Sequence, residues 1–284
     1  MCRRKIFVND VDKLLIKDTL QKGLLYFVSK GFKFQADSHL KPAPAQLRIV
    51  MFSFGKIKLS DSSIFNGLED FHSHVLPRVD DGVSKIEESL QILQLYESLG
   101  VRKLWLTPHI MEDIPNTTNA LKEKFDELKA HYSGPIELRL AAEYMLDSLY
   151  MCRLEEKDIL PLGDEGSSVL VETSFWVGSN ILYDMLQQTL STGYFPVLAH
   201  PERFGYMTEA DYDRLLTMGV KFQLNIPSLM GLYGMGVQKV ASVLLQKKAY
   251  SYIGSDLHSY NQAQKILSGD AKKKDVRRVM GVKV

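Results

Sequence analysis

Phe71-His72-Ser73-His74-Val75-Leu76-Pro77-Arg78-Val79-Asp80-Asp81-Gly82 is the stretch from which the fold and chemistry of this 284-residue chain are read. His72 and His74 close a short run, Gly67-Leu68-Glu69-Asp70-Phe71, that reads as a β-strand. A strand's period of two points both imidazoles to the same side, where one metal ion could sit between them. The Pro77-Arg78-Val79-Asp80-Asp81-Gly82 segment has turn chemistry and can fold a carboxylate, Asp80 or Asp81, back toward the histidines. A lone His-x-His is more often two ordinary histidines on a half-exposed strand. The rest of the chain has to decide.

From Gly67 onward, strands and helices alternate. Ser84 with Glu87 forms a capping-box pattern, and Ile86, Leu90, Leu93 and Leu99 keep helical spacing up to Gly100. Lys103 to Thr107 is the second strand, and Asn116 or Thr117 can cap a helix carrying Leu121, Phe125, Leu128 and Tyr132. Ile136 to Ala142 is the third strand, followed by a partly helical insertion from Leu146 to Leu162 and a fourth strand at Ser168 to Val171. A helix near Asn180 to Leu190 precedes the fifth strand, Phe195 to Ala199. Thr208 with Asp211 opens the next helix, before the sixth strand at Lys221 to Leu224. A helix through Val237, Val240, Ala241, Leu244 and Leu245 leads to the seventh strand, Ala249 to Gly254. Seven strands alternating with helices predict an α/β fold with a parallel sheet, closed as a distorted seven-stranded (β/α) barrel of TIM-like type.

Barrel closure gathers the C-terminal ends of all strands on one rim, where barrel enzymes keep their sites. Those ends carry His72 and His74, His109, Glu143, Glu172, His200, and Asp256 with His258. Five of the seven histidines in the chain stand there. Any one of them reads equally well as a structural residue; the coincidence of all of them does not. Nitrogen and oxygen ligands without cysteine thiolate suit Mn, Fe, Zn or Mg and a multinuclear site.

Composition narrows the function classes. A 45% hydrophobic, 24% charged chain with net charge +1 is an ordinary globular protein with no field for nucleic acid or acidic membranes. Two cysteines, Cys2 and Cys152, allow no disulfide framework. No apolar run approaches the ~18 residues of a membrane span. Acidic residues such as Asp10 and Asp12 interrupt every candidate signal-peptide core, so a cytoplasmic location is expected. Residues 1–50 read as an N-terminal extension, with apolar Leu24-Leu25-Tyr26-Phe27-Val28, a solvated His39, and a linker at Lys41-Pro42-Ala43-Pro44-Ala45. Met51 opens a second segment, 51–284, which holds every candidate ligand and ends in a basic tail, Lys272-Lys273-Lys274 and Arg277-Arg278, expected to be solvated.

The series His72-Ser73-His74 through Asp81-Gly82, Thr107-Pro108-His109, Ala142-Glu143-Tyr144, Val171-Glu172, Ala199-His200-Pro201-Glu202-Arg203 and Gly254-Ser255-Asp256-Leu257-His258 resembles the polymerase and histidinol phosphatase (PHP) superfamily. Within it the series is similar to the bacterial tyrosine-protein phosphatases of capsule and exopolysaccharide synthesis. The resemblance spans about Asp70 to His258. Arg78 stands where such sequences commonly have glycine. The resemblance implies the PHP barrel and up to three divalent metal ions, with manganese expected and iron, zinc or magnesium as alternatives. It implies His72, His74, Glu143 and Asp256 on the first ion, Glu143, Glu172 and His200 on the second, and Asp81, His109 and His258 on the third. It also implies a phosphotyrosine protein as partner, the tyrosine-rich tail of a bacterial tyrosine kinase.

The expected chemistry is in-line attack on phosphorus by a metal-held hydroxide, with no protein nucleophile. Cys152 belongs to no Cys-x5-Arg phosphatase motif, since Arg153 follows it directly and Asp158 stands six residues on. Arg203 can offer a planar fork to the phosphate, as catalytic and substrate-binding residue, or else pair at the surface with Glu202 or Glu209. No general acid stands out. The alternatives are a phosphatase for a small metabolite such as histidinol phosphate, and a catalytically silent metal-binding scaffold.

Overall fold

The structure, a computed structural model, describes residues 55–174 and 179–282. The expected extension, with its apolar run, His39 and linker, lies outside the described residues. A short strand β1 (Lys56–Lys58) leads through a 3-10 turn (Leu59–Asp61) to β2 (Glu69–Asp70), α1 (Ile86–Leu99), β3 (Lys103–Leu106) and β4 (His109–Ile110). Next come α2 (Thr118–His131), β5 (Glu137–Leu140), β6 (Glu143–Met145), α3 (Ser148–Glu156), β7 (Ser168–Glu172), α4 (Ser179–Ser191) and β8 (Phe195–Ala199). The C-terminal part runs α5 (Glu209–Thr217), β9 (Lys221–Asn225), α6 (Met235–Lys247), β10 (Tyr250–Gly254), α7 (Tyr260–Ser268), β11 (Asp270–Lys272) and α8 (Lys273–Val279).

All pairing between the longer strands is parallel: β2-β3-β5 form one sheet and β10-β9-β8-β7-β6-β4 another. Strands are present at all seven expected places, but past the end of the second a further strand, β4, follows, and the third is interrupted. Thr107-Pro108 separates β3 from β4, and proline has no N–H to continue a ladder. Ala141-Ala142 separates β5 from β6 in step with it, because Ala141 N–H reaches Leu106 O at 2.9 Å and Glu143 N–H reaches Pro108 O at 3.1 Å. The breaks move His109 and Glu143 into the second sheet, where they pair directly in register.

The first strand also meets the last. Phe71 N–H donates to Ile253 O at 2.9 Å, Asp256 N–H donates to His72 O at 2.8 Å, and Ser73 bridges Leu257. Asp70, fully buried, binds both sides of this seam through the N–H groups of His72 (3.2 Å) and Ser255 (2.9 Å), and it accepts from the Tyr96 hydroxyl (3.1 Å). Gly254 allows the approach, since a Cβ there would collide with the Cβ of His72.

Strands buried on both faces read as continuous apolar runs, and β3, β7 and most of β8 are buried along their length. One side packs on the helices. The other forms a separate cluster of Phe71, Trp105, Ala141, Leu162, Leu170, Val197, Ala199 and Tyr252, in which Tyr252 meets Phe71 edge-on at 4.8 Å. Beside it, buried Lys103 is neutralised by Asp164 (2.7 Å) and Glu69 (3.3 Å), and Trp105 Nε1 donates to Glu69.

Local signals held unevenly. Thr208 and Asp211 form the expected capping box, Thr117 caps α2, and left-handed Gly100 ends α1. The Ser84 box does not form: α1 starts at Ile86 behind Lys85, whose side chain makes no cap bond. The basic C-terminus is not a solvated end. Its β11 pairs antiparallel with β1, and α8 buries Val276 and Val279 while Asp275 accepts from Ser242 and Arg278. Ala271, Val276 and Val279 anchor the element, and the lysines lie among them.

Candidate metal centre

The expected ligands lie at strand ends, just beyond them, or where a strand resumes. His72 and His74 follow β2, His109 opens β4, Glu143 opens β6, Glu172 ends β7, His200 follows β8, and Asp256 and His258 follow β10. Asp81 reaches the group from the turn after His74, which Val83 N–H closes onto His74 O. Gly82 is tightly required there, as a Cβ would strike the His74 carbonyl. All nine residues fall in four overlapping groups whose donor atoms lie within 4.8 Å of one another: His74, Asp81, His109, His258; His72, His74, Asp256; His72, Glu143, His200; and His109, Glu143, Glu172. Glu143 sits at the centre, with Oε2 at 3.1 Å from His72 Nε2 and 3.2 Å from both His74 Nε2 and His109 Nδ1, and Oε1 at 3.1 Å from His200 Nε2.

The tautomers can be assigned from the partners. Gln223 Oε1 accepts the His200 N–H at 3.2 Å, so its amide oxygen faces His72 Nδ1 at 2.9 Å, and that ring nitrogen must carry the proton. His74 Nδ1 lies 2.7 Å from Asp80 Oδ2 and is likewise a donor. Both Nε2 atoms, 3.1 Å apart, then face a carboxylate oxygen and are open to a proton or a metal ion. Three donor groups this close call for a positive charge among them, and nitrogen and oxygen donors of this kind fit a bound metal. His109 Nδ1 and Glu143 Oε2 are buried and, among the described residues, have no hydrogen-bond partner.

Electrostatics point the same way. Burial, reinforced by the charge of Glu143, pushes Glu172 well above the usual carboxylate range. Burial would also raise Glu143, but His72, His109 and His200 outweigh it and hold it well below. Burial opposes charge on Asp256 too, yet His72, His200 and His74 bring it down to about 2. Burial and the neighbouring charge of Arg203 lower His200 to about 4, leaving the neutral imidazole that ligates metal. Both His200 (φ 34) and Asp256 (φ 51) are held in left-handed backbone, a strain of the kind concentrated at functional sites.

Of the supporting residues, the sequence offered Asp80 as one of two turn carboxylates and did not single out Gln223 or Asn225. Asp80, rather than Asp81, holds His74, while Gln223 and Asn225, two apart on β9, brace His72 and Asp256. Two polar side chains at strand period in an otherwise buried strand were the available signal. Arg203 does not pair at the surface: Nη1 donates to Asp256 Oδ2 at 2.7 Å, and its guanidinium lies 4.4 Å from the ring centre of Tyr233. Glu202 turns inward to Asn225 N–H and the Tyr250 hydroxyl. Cys152 is exposed on α3.

Residues 68–278 match the family model described as "Capsular polysaccharide synthesis, CpsB/CapC". Among curated relatives, the tyrosine-protein phosphatase CpsB of Streptococcus pneumoniae is 29% identical over 209 residues, 67% of this chain and 82% of the relative. The tyrosine-protein phosphatase YwqE of Bacillus subtilis is 26% identical over 206 residues, covering 67% and 77%. A solved chain from work on YwqE of B. subtilis and CpsB of S. pneumoniae, described as metal-dependent tyrosine phosphatases, shares the fold. It aligns with TM-score 0.65 at 22% identity, covering 76% of this chain and 85% of that one.

Proposed function

Since the chain belongs to the CpsB/CapC family of capsular polysaccharide synthesis, we propose that it is a metal-dependent tyrosine-protein phosphatase. The observation that carries this reading is the convergence of nine nitrogen- and oxygen-bearing side chains, in groups whose donor atoms lie within 4.8 Å of one another, on the end of the sheets where parallel strands place their sites. We read the seven parallel runs as staves of one distorted TIM-like barrel, and 51–284 as the catalytic domain. Up to three divalent ions, manganese foremost, would be held by His72, His74, Glu143 and Asp256; by Glu143, Glu172 and His200; and by Asp81, His109 and His258. Bound divalent cations lower the pKa of coordinated water toward neutrality and neutralise phosphate oxygens.

The chain's own residues supply orientation and charge. Asp80 and Gln223 keep the Nδ1 protons of His74 and His72, so both Nε2 atoms stay available. Arg203, held on Asp256, presents a planar cation beside the centre and binds the phosphate as charge shifts toward the leaving oxygen. A phenol has a pKa of ~10, several units below an aliphatic alcohol, so a tyrosine leaves with less protonation than serine or histidinol would need. This suits a site where no general acid stands out. By analogy with relatives named tyrosine-protein phosphatases, the substrate is a phosphotyrosine protein; the tail of a bacterial tyrosine kinase, met in the cytoplasm, is the partner we propose. Among the described residues no helix is long and apolar enough to cross a membrane.

The test compares kcat/KM for phosphotyrosine peptide, phosphoserine peptide and histidinol phosphate in the manganese-loaded chain. A strong preference for phosphotyrosine is expected; a preference for histidinol phosphate would move the protein to metabolite hydrolysis, and no turnover of any of them would leave a silent metal module.

A further inference from the structure

We infer that Tyr233 is a positioning residue, whose ring holds the Arg203 guanidinium in the orientation that receives phosphate. The inference rests on the phosphatase reading for the role of Arg203, but its geometry stands independently. Arg203 ends the 3-10 turn Pro201–Arg203, and a long side chain from such a short element keeps many rotamers unless it is held. Two contacts of different kinds hold it. Asp256 Oδ2 accepts from Nη1 at 2.7 Å and fixes one edge, while the Tyr233 ring lies against the guanidinium at 4.4 Å and fixes its plane.

Asn225 ties the two supports together. Its Nδ2 donates to Asp256 Oδ2 at 3.0 Å and to the Tyr233 hydroxyl at 3.4 Å, so carboxylate, amide, phenol and guanidinium form a closed ring of contacts. Tyr233 is carried on a tight turn between the 3-10 turn Ile226–Met230 and α6, in which Gly231 (φ 77) and Gly234 (φ 97) both adopt left-handed backbone and Gly234 N–H returns to Gly231 O. Those two conformations, costly for other residues, place a half-buried aromatic ring beside the metal-ligand cluster. Burial also pushes the phenol up, so the ring remains neutral. An arginine already bound to a carboxylate is poorly disposed to take phosphate if that carboxylate can draw it out of plane; a stacking face opposes this without competing for its N–H donors.

The experiment uses the full chain loaded with manganese, as parent, Tyr233→Leu, Tyr233→Phe, Arg203→Ala and the Arg203→Ala/Tyr233→Leu double variant. Inorganic phosphate binding is read by calorimetry, beside metal content, melting temperature and kcat/KM for a phosphotyrosine peptide. Tyr233→Leu should weaken phosphate binding and lower kcat/KM by about tenfold each, the scale of one desolvated cation–π contact. Metal content and melting temperature should hold, and Tyr233→Phe should restore both readouts. In the Arg203→Ala background Tyr233→Leu should cost nothing further, because its effect runs through that residue. An equal loss with and without Arg203, unchanged phosphate binding in Tyr233→Leu, or a loss that follows metal content or melting and that Phe does not rescue, overturns the inference. A parent that binds phosphate but does not hydrolyse phosphotyrosine overturns the phosphatase reading alone, and the binding data still decide the role of Tyr233.

Discussion

Asp80 and His74 are joined at 2.7 Å between Oδ2 and Nδ1, inside a turn whose next residue, Asp81, points its carboxylate outward with a side chain 64% exposed. Adjacent carboxylates thus take opposite tasks. Asp80, its side chain wholly buried, also accepts from the N–H groups of Gly82 (3.0 Å) and His109 (3.1 Å), binding the first loop to the second. Asp81 instead reaches toward His109 Nε2 at 3.6 Å and His258 Nε2 at 3.5 Å.

Asp80→Asn should therefore leave every ligand in place yet weaken metal binding about 10–100-fold, the usual cost of losing the carboxylate behind a ligating histidine. Competition with a chelator of known affinity measures it. An Asp80→Asn protein with parental affinity would show that His74 is oriented by something else.

Removing a ligand is a harsher change. His74→Ala and Glu143→Ala should each lose metal and activity together, since Glu143 faces four histidine nitrogens, His74 among them. Elemental analysis beside turnover checks this. Metal retained in full with activity lost would place these residues in chemistry rather than in binding.

Much of this site was legible because ligands follow strand ends: His72 with His74 and Asp256 with His258 repeat the same two-residue step just beyond two strands that meet at the seam. Turn chemistry brought a carboxylate back but could not choose between Asp80 and Asp81, because both fit the turn and only the approach of His109 from another strand separates them. The further strand beyond Pro108 and the interruption at Ala141-Ala142 were hidden for a similar reason: an apolar run gives no sign of the sheet to which each piece belongs. At Ser84 a local pattern was overruled by Ile86, whose burial sets where the helix begins. The C-terminal lysines masked three small apolar anchors.

Arg78 holds a left-handed conformation, φ 63, at an exposed turn position. Arg78→Gly removes the Cβ clash of that conformation, offset in part by the greater freedom of glycine in the unfolded chain. Stability should rise by up to about 1 kcal/mol, with metal content unchanged, as denaturant titration would report. A loss of stability would show that the Arg78 side chain makes a contact worth more than the strain.

A chain starting at Met51 should fold and keep activity, since every candidate ligand follows Asp70. One starting at Gly67 should melt well below it, because β1 pairs with β11 through Lys56–Lys58 and Leu59 is fully buried. Thermal melts of the two proteins test this. Equal melting would mean that the β1–β11 ribbon contributes nothing to the fold.

If nine side chains assemble the metal ions, hydrolysis of phosphotyrosine depends on those ions. The direct measurement is the rate of phosphotyrosine peptide hydrolysis as manganese is added back, in equivalents per chain, to a thoroughly stripped protein. Turnover should be negligible without metal and should rise to saturation only after more than one ion per chain is bound. Full turnover in the stripped protein, unaltered by manganese, would contradict it.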